Sequence, residues 1–176
     1  MKSLKVFGMF VLMVIVSVSF AMEVQAEITL VKEMGNIRIA KIVDDMTDEI
    51  SYTMTIEYTN PDNAREWTLI SISHKDDVII GILTTGIFDK DYSTDSVKTM
   101  FRFDDRPAYS SSFMVAEGLR HAFSFNSVAN NRLIDDMKKS NVVLIKLDLY
   151  RGNDLFKIPL TGFTAMYNEY LKLSGN

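Results

Sequence analysis

The stretch VVLIKLDLYRGNDLFKIPLTGFTAMYNEYLKL, Val142 to Leu173, decides the fold class. Val143, Ile145, Leu147 and Leu149 alternate with Leu144, Lys146, Asp148 and Tyr150, the period-two pattern of a strand with one buried and one mixed face. Arg151-Gly152-Asn153-Asp154 then reverses the chain, because Gly and Asn tolerate positive φ. Phe156, Ile158 and Leu160 carry the buried face back along a second strand. From Thr161 or Gly162 the period changes, and Phe163, Met166, Tyr167, Tyr170 and Leu171 recur at the three-four spacing of one helix face. The stretch predicts a hairpin followed at once by an amphipathic helix.

Upstream, Ser127 is expected to cap a helix running through Lys139. Ala129, Leu133, Ile134 and Met137 share a face of it, and Lys138-Lys139 stand at the negative end of its dipole. Strands are predicted over Asn36 to Ile42 and Glu49 to Tyr58. Trp67 to Ser73 and Val78 to Leu83 form a hairpin with the polar tip His74 to Asp77. Gly81, inside the second of these, predicts a bulge or a close backbone approach. Val97 to Phe103 is a further strand, stopped by Asp104-Asp105-Arg106-Pro107. Tyr109-Ser110-Ser111-Ser112 reads as a turn, with short strands at Phe113 to Val115 and Ala122 to Phe125. With no internal repeat or linker, the pattern predicts one α+β domain, mostly antiparallel and β-sandwich-like. One helix precedes the C-terminal hairpin and another packs on the sheet.

At the N-terminus, Lys2 and Lys5 precede an apolar run from Val6 to Ala21, and Val24-Gln25-Ala26 supplies tolerated residues where a signal peptidase reads. This is the pattern of a secretory signal peptide over residues 1–26, which leaves 27–176 as a periplasmic or secreted domain. The alternative for the same run is an uncleaved membrane anchor, and no second apolar run is long enough to span a bilayer. The chain contains no cysteine, which excludes a disulfide, a thiol nucleophile and a lipid-modified cysteine, so packing alone holds the domain. The net charge is −4, and removal of Lys2, Lys5 and Glu23 makes it one unit more negative. Basic and acidic residues are interspersed throughout, which argues against a nucleic-acid partner.

Asp89, Asp91, Ser93 and Asp95 alternate as calcium ligands do, but Thr94 and Met100 stand where an EF-hand loop needs glycine and glutamate. The segment therefore reads as a solvated loop. His74 and His121 are the only histidines, too few for a structural zinc site without carboxylates from elsewhere. No G-x-S-x-G context surrounds Ser110 to Ser112 or any other serine. The pairs Asp44-Asp45, Asp76-Asp77, Asp104-Asp105 and Asp135-Asp136 raise a hydrolase reading. Neighbours in a strand face opposite ways, so a working dyad must join separate segments. A Gly-rich phosphate loop is missing as well. The sequence thus assigns no catalytic, cofactor-binding or metal-binding residue, and predicts no cofactor. Trp67, Tyr109, Phe113, Tyr167 and Tyr170 are candidates for either the core or a partner-binding surface.

Two further segments carry a likeness. Val97 to Asp104 ends in Arg102-Phe103-Asp104, and Lys157 to Phe163 runs Ile158-Pro159-Leu160-Thr161-Gly162-Phe163 into a helix. In that order the chain resembles the TagO-like (VasI-like) periplasmic accessory proteins of type VI secretion, over about the C-terminal two thirds of the mature part. The resemblance implies a non-enzymatic β-sandwich with a packed helix that acts through protein contacts, although those relatives carry cysteines that this chain lacks. The expectation is an exported protein that binds another protein of the cell envelope, as an accessory of a secretion or envelope machine. Trp67, Arg102, Asp104 and Tyr109 are its candidate partner-binding residues, and an Arg102–Asp104 ion pair fixing a strand end is the competing role for that pair. The alternatives are an inhibitor of an envelope enzyme such as lysozyme, and a carboxylate-dependent hydrolase.

Overall fold

The computed structural model describes residues 26–63, 65–74, 77–91 and 93–175. The expected signal peptide lies outside the described residues, except for Ala26. Among the described residues, ten strands and two helices follow in order: β1 (Ala26–Met34), β2 (Ile37–Asp44), β3 (Ile50–Thr59), β4 (Trp67–His74), β5 (Val78–Thr84), β6 (Ser96–Phe103), β7 (Tyr109–Val115), β8 (His121–Ser124), α1 (Ser127–Lys138), β9 (Val142–Leu149), β10 (Gly152–Pro159) and α2 (Phe163–Ser174). The strands join in one antiparallel sheet of order β1-β2-β3-β4-β5-β8-β7-β6-β9-β10, whose edges β1 and β10 do not pair. The predicted α+β, mostly antiparallel class therefore holds. No helix among the described residues is long and apolar enough to cross a membrane.

Alternation places the core. In β6, Val97, Thr99, Phe101 and Phe103 are buried while Lys98, Met100 and Arg102 are exposed. In β9, Val143, Ile145, Leu147 and Leu149 are buried, as their spacing predicts. Both helices cover the same side: Phe163, Met166, Tyr167 and Tyr170 of α2 are buried in one cluster with Leu133, Ile134 and Met137 of α1. Each such large apolar side chain contributes about 1.5–3 kcal/mol on burial. The sheet curls enough that its distant parts meet. Tyr58 of β3 lies edge-on to Phe156 of β10 at 6.0 Å between ring centres, and Asn36 Nδ2 donates to the Pro159 carbonyl at 3.2 Å.

Several local expectations change. Tyr109 to Ser112 is not a turn but the first half of β7, paired residue for residue with Phe101 to Lys98. The serines there signal exposure on a strand, a context in which propensity is weak evidence. Helix α1 is capped by Asn126 rather than Ser127, since Asn126 Oδ1 accepts the Ala129 N–H at 3.0 Å. Strand β1 was not expected at all; its register shifts between Leu30 and Lys32, and this break destroys the alternation that marks a strand. At Gly81 the pairing with Ser71 runs on without a bulge. The reason for glycine is close approach, because a Cβ there would lie 2.5 Å from Ser71 Oγ and 3.1 Å from the Phe123 ring.

Candidate functional site

Strand β5 ends at the buried Thr84, whose hydroxyl donates to the Trp67 carbonyl at 3.4 Å and accepts the Gly86 N–H at 3.4 Å. The chain beyond is pinned on two sides. Phe88 N–H donates to the Leu119 carbonyl at 2.7 Å, and Tyr150 N–H donates to the Ile87 carbonyl at 2.8 Å. This arrangement opens a cleft of about 330 Å³ between residues 85–87, Arg120 and the β9–β10 turn, at the small end of the roughly 300–1,000 Å³ of ligand sites. Gly86 and Leu149 lie so close in its wall that a Cβ on Gly86 would overlap Leu149 Cδ1.

Arg120, Arg151 and Asp154 are the charged residues that line the cleft. Burial, then the charge of Glu66, holds the Asp154 carboxyl above the usual carboxylate range. Glu66 is itself held by Asn60 Nδ2 and Asn63 Nδ2, each at 2.7 Å. The wall thus brings one carboxylate, not the two that the hydrolase expectation needs. Among the described residues, no group of three or more His, Asp or Glu is placed to hold a metal ion. In the Asp89–Asp95 loop, Lys90 Nζ binds Asp95 at 2.6 Å, and Asp91 Oδ1 accepts from Ser93 N–H at 2.9 Å and Ser93 Oγ at 2.6 Å. Those bonds from Ser93 hold the Asp91 carboxyl below its ordinary range.

The four residues singled out in the sequence do not converge. Trp67 is half-buried against Leu69 and Leu83 on the side of the sheet away from the helices. Arg102 is exposed near the end of β6. Asp104, at φ +47°, directs its carboxylate to main-chain donors, accepting from Asn141 N–H at 3.1 Å and Val142 N–H at 3.0 Å. No Arg102–Asp104 ion pair forms among the described residues; Asp104 instead holds the start of β9 through these amides. Tyr109 donates its hydroxyl to Asp136 Oδ2 at 2.9 Å, with the Arg132 guanidinium 4.2 Å above its ring. Burial, followed by Asp136, pushes its phenol up. Asp136 also binds Arg106 at 2.5 Å, so Tyr109 belongs to a network joining α1 to the β6–β7 turn. Phe113, Tyr167 and Tyr170 are core residues.

What the sequence reading missed lies on the helix-free side. Met114 pairs across strands with Phe123, Phe123 lies against Gly81, and Phe125 follows with its ring centre 6.4 Å away. Met114 is 56% and Phe125 57% exposed. The signal was the inversion in Ala122-Phe123-Ser124-Phe125: the small residues face the core and the phenylalanines face outward. Comparisons with protein-family models, curated proteins and solved structures find no match for this chain.

Proposed function

We propose that this is an exported, non-enzymatic protein of the cell envelope that binds another protein through the helix-free side of its sheet. The observation that carries this reading is the row Met114, Phe123 and Phe125, large apolar side chains in adjacent positions on a side that neither helix covers. Isolated exposed apolar residues are ordinary, whereas neighbouring ones with an aromatic anchor are the composition of interface centres. Trp67 stands on the same side, over Leu69 and Leu83. The export pattern at the N-terminus supports the compartment. The likeness to TagO-like accessory proteins extends the reading to an accessory of a secretion or envelope machine, and the contact of Tyr58 with Phe156 across the core supports a sandwich-like body.

The test is a photo-crosslinking residue placed in the living envelope at Met114, at Phe125 and, as a control, at the exposed Glu117. One and the same adduct from Met114 and Phe125, absent from Glu117 and abolished by Phe123→Asp in a chain that keeps its far-ultraviolet spectrum, is the expected result. Adducts equal at all three positions, or none at Met114 and Phe125, would sink the reading.

A further inference from the structure

The cleft beside the β9–β10 turn has two chemically opposite parts. Arg120 enters from the turn before β8 and Arg151 from the β9–β10 turn. Neither side chain has a hydrogen bond or ion pair among the described residues. Their backbones are fixed nonetheless: the Arg120 carbonyl accepts the Thr84 N–H at 3.1 Å, and Gly152, next to Arg151, pairs with Leu149. Asp154 lines the same cleft from β10, and among the described residues it forms no ion pair with either arginine. Two guanidinium groups and one carboxylate therefore line one small space without pairing with each other. Ile87 and Tyr150, 43% and 75% exposed, supply apolar surface at its mouth.

We propose that this cleft binds a small zwitterion, an amino acid or a short peptide, with its carboxylate at Arg120 and Arg151 and its ammonium group at Asp154. Two guanidinium groups with no partner among the described residues offer forked donors that match a carboxylate. A simple anion satisfies the arginines but sets its charge against Asp154. A simple amine satisfies Asp154 and leaves the arginines without a partner. Only a ligand with both charges meets both parts, and this difference confers selectivity. The site is separate from the helix-free apolar row, and neither proposal depends on the other.

The experiment is an NMR titration of the purified protein with alanyl-alanine and alanyl-tyrosine, with their N-acetylated and C-amidated forms, and with inorganic phosphate. Saturable shifts at the Ile87, Tyr150 and Gly152 amides are expected with at least one free dipeptide. Either modification should weaken binding at least about tenfold, the size of a lost charge-assisted hydrogen bond. The Arg120→Gln, Arg151→Gln double variant should keep a dispersed spectrum and lose the response. No saturable shift with either dipeptide overturns the proposal. So does a modified dipeptide that binds as well as the free one, or phosphate that binds tighter than both.

Discussion

The backbone N–H of His74 donates to the Tyr170 hydroxyl at 2.7 Å, so one phenol fastens the end of β4 to helix α2. The same oxygen lies 3.2 Å from His74 Nδ1, while Tyr167 Oη lies 3.4 Å from Nε2. Tyr170→Phe keeps the ring in the core and leaves the half-buried amide without its acceptor. A loss of about 1–3 kcal/mol is expected in urea unfolding, with the dependence on urea unchanged. Tyr167→Phe, which gives up only the longer contact, should cost less.

Stability should fall as the solution is acidified below neutrality. Burial, then the charge of Lys138, holds the His74 imidazole below its ordinary value, and burial, then Arg120, does the same to His121. The unfolded chain takes up protons on these histidines first, from about pH 6.5 downward. The stabilising contribution is therefore complete above that pH and declines as the pH drops through the lower values of the folded state. Urea midpoints measured from pH 8 to pH 5 check the direction. Lys138→Gln should make the decline shallower, and a midpoint that rises on acidification would contradict the assignment.

Asp104 combines a left-handed backbone with two amide bonds to the start of β9. Asp104→Ala loses both acceptors and keeps the backbone cost, with an expected destabilisation of about 2 kcal/mol. Asp104→Asn, which retains an acceptor and tolerates that conformation, should fall between the two. Thermal unfolding of the three proteins gives the order.

At Gly81 the obstacle is one hydroxyl and one ring. Gly81→Ala should destabilise the protein by about 1–3 kcal/mol through overpacking. Because the nearest atom is Ser71 Oγ, adding Ser71→Ala should recover part of the loss. Equal stability of the single and double variants would show that Phe123 alone sets the cost.

The C-terminal hairpin and α2 were legible because their period is unbroken: Ile145, Leu147, Phe156 and Ile158 are buried, as are Phe163, Met166 and Tyr170. Polar residues with tertiary jobs were not. Asn130 looks like a solvent-facing helix residue, yet it is buried and donates to the Val78 and Ser124 carbonyls, each at 2.7 Å. Nothing local marks a side chain whose partners lie on other elements. The cleft was hidden for the same reason, since Gly86, Arg120 and Asp154 meet only after β5, β8 and β10 take their places. Arg102 and Trp67 fall on predicted strands, but a strand pattern does not say which side of a sheet the helices will leave bare.

Strands β1 to β5 succeed one another along the chain, and β6, β7, β9 and β10 make the other ribbon of the sheet. Between them stands β8, with four register pairs to β5 and two to β7. The sheet is therefore continuous across a narrow isthmus, and the Asn130 amide bridges β5 to β8 there like a staple. A single carboxamide, remote from both edges and from the cleft, guards the line along which this molecule would tear.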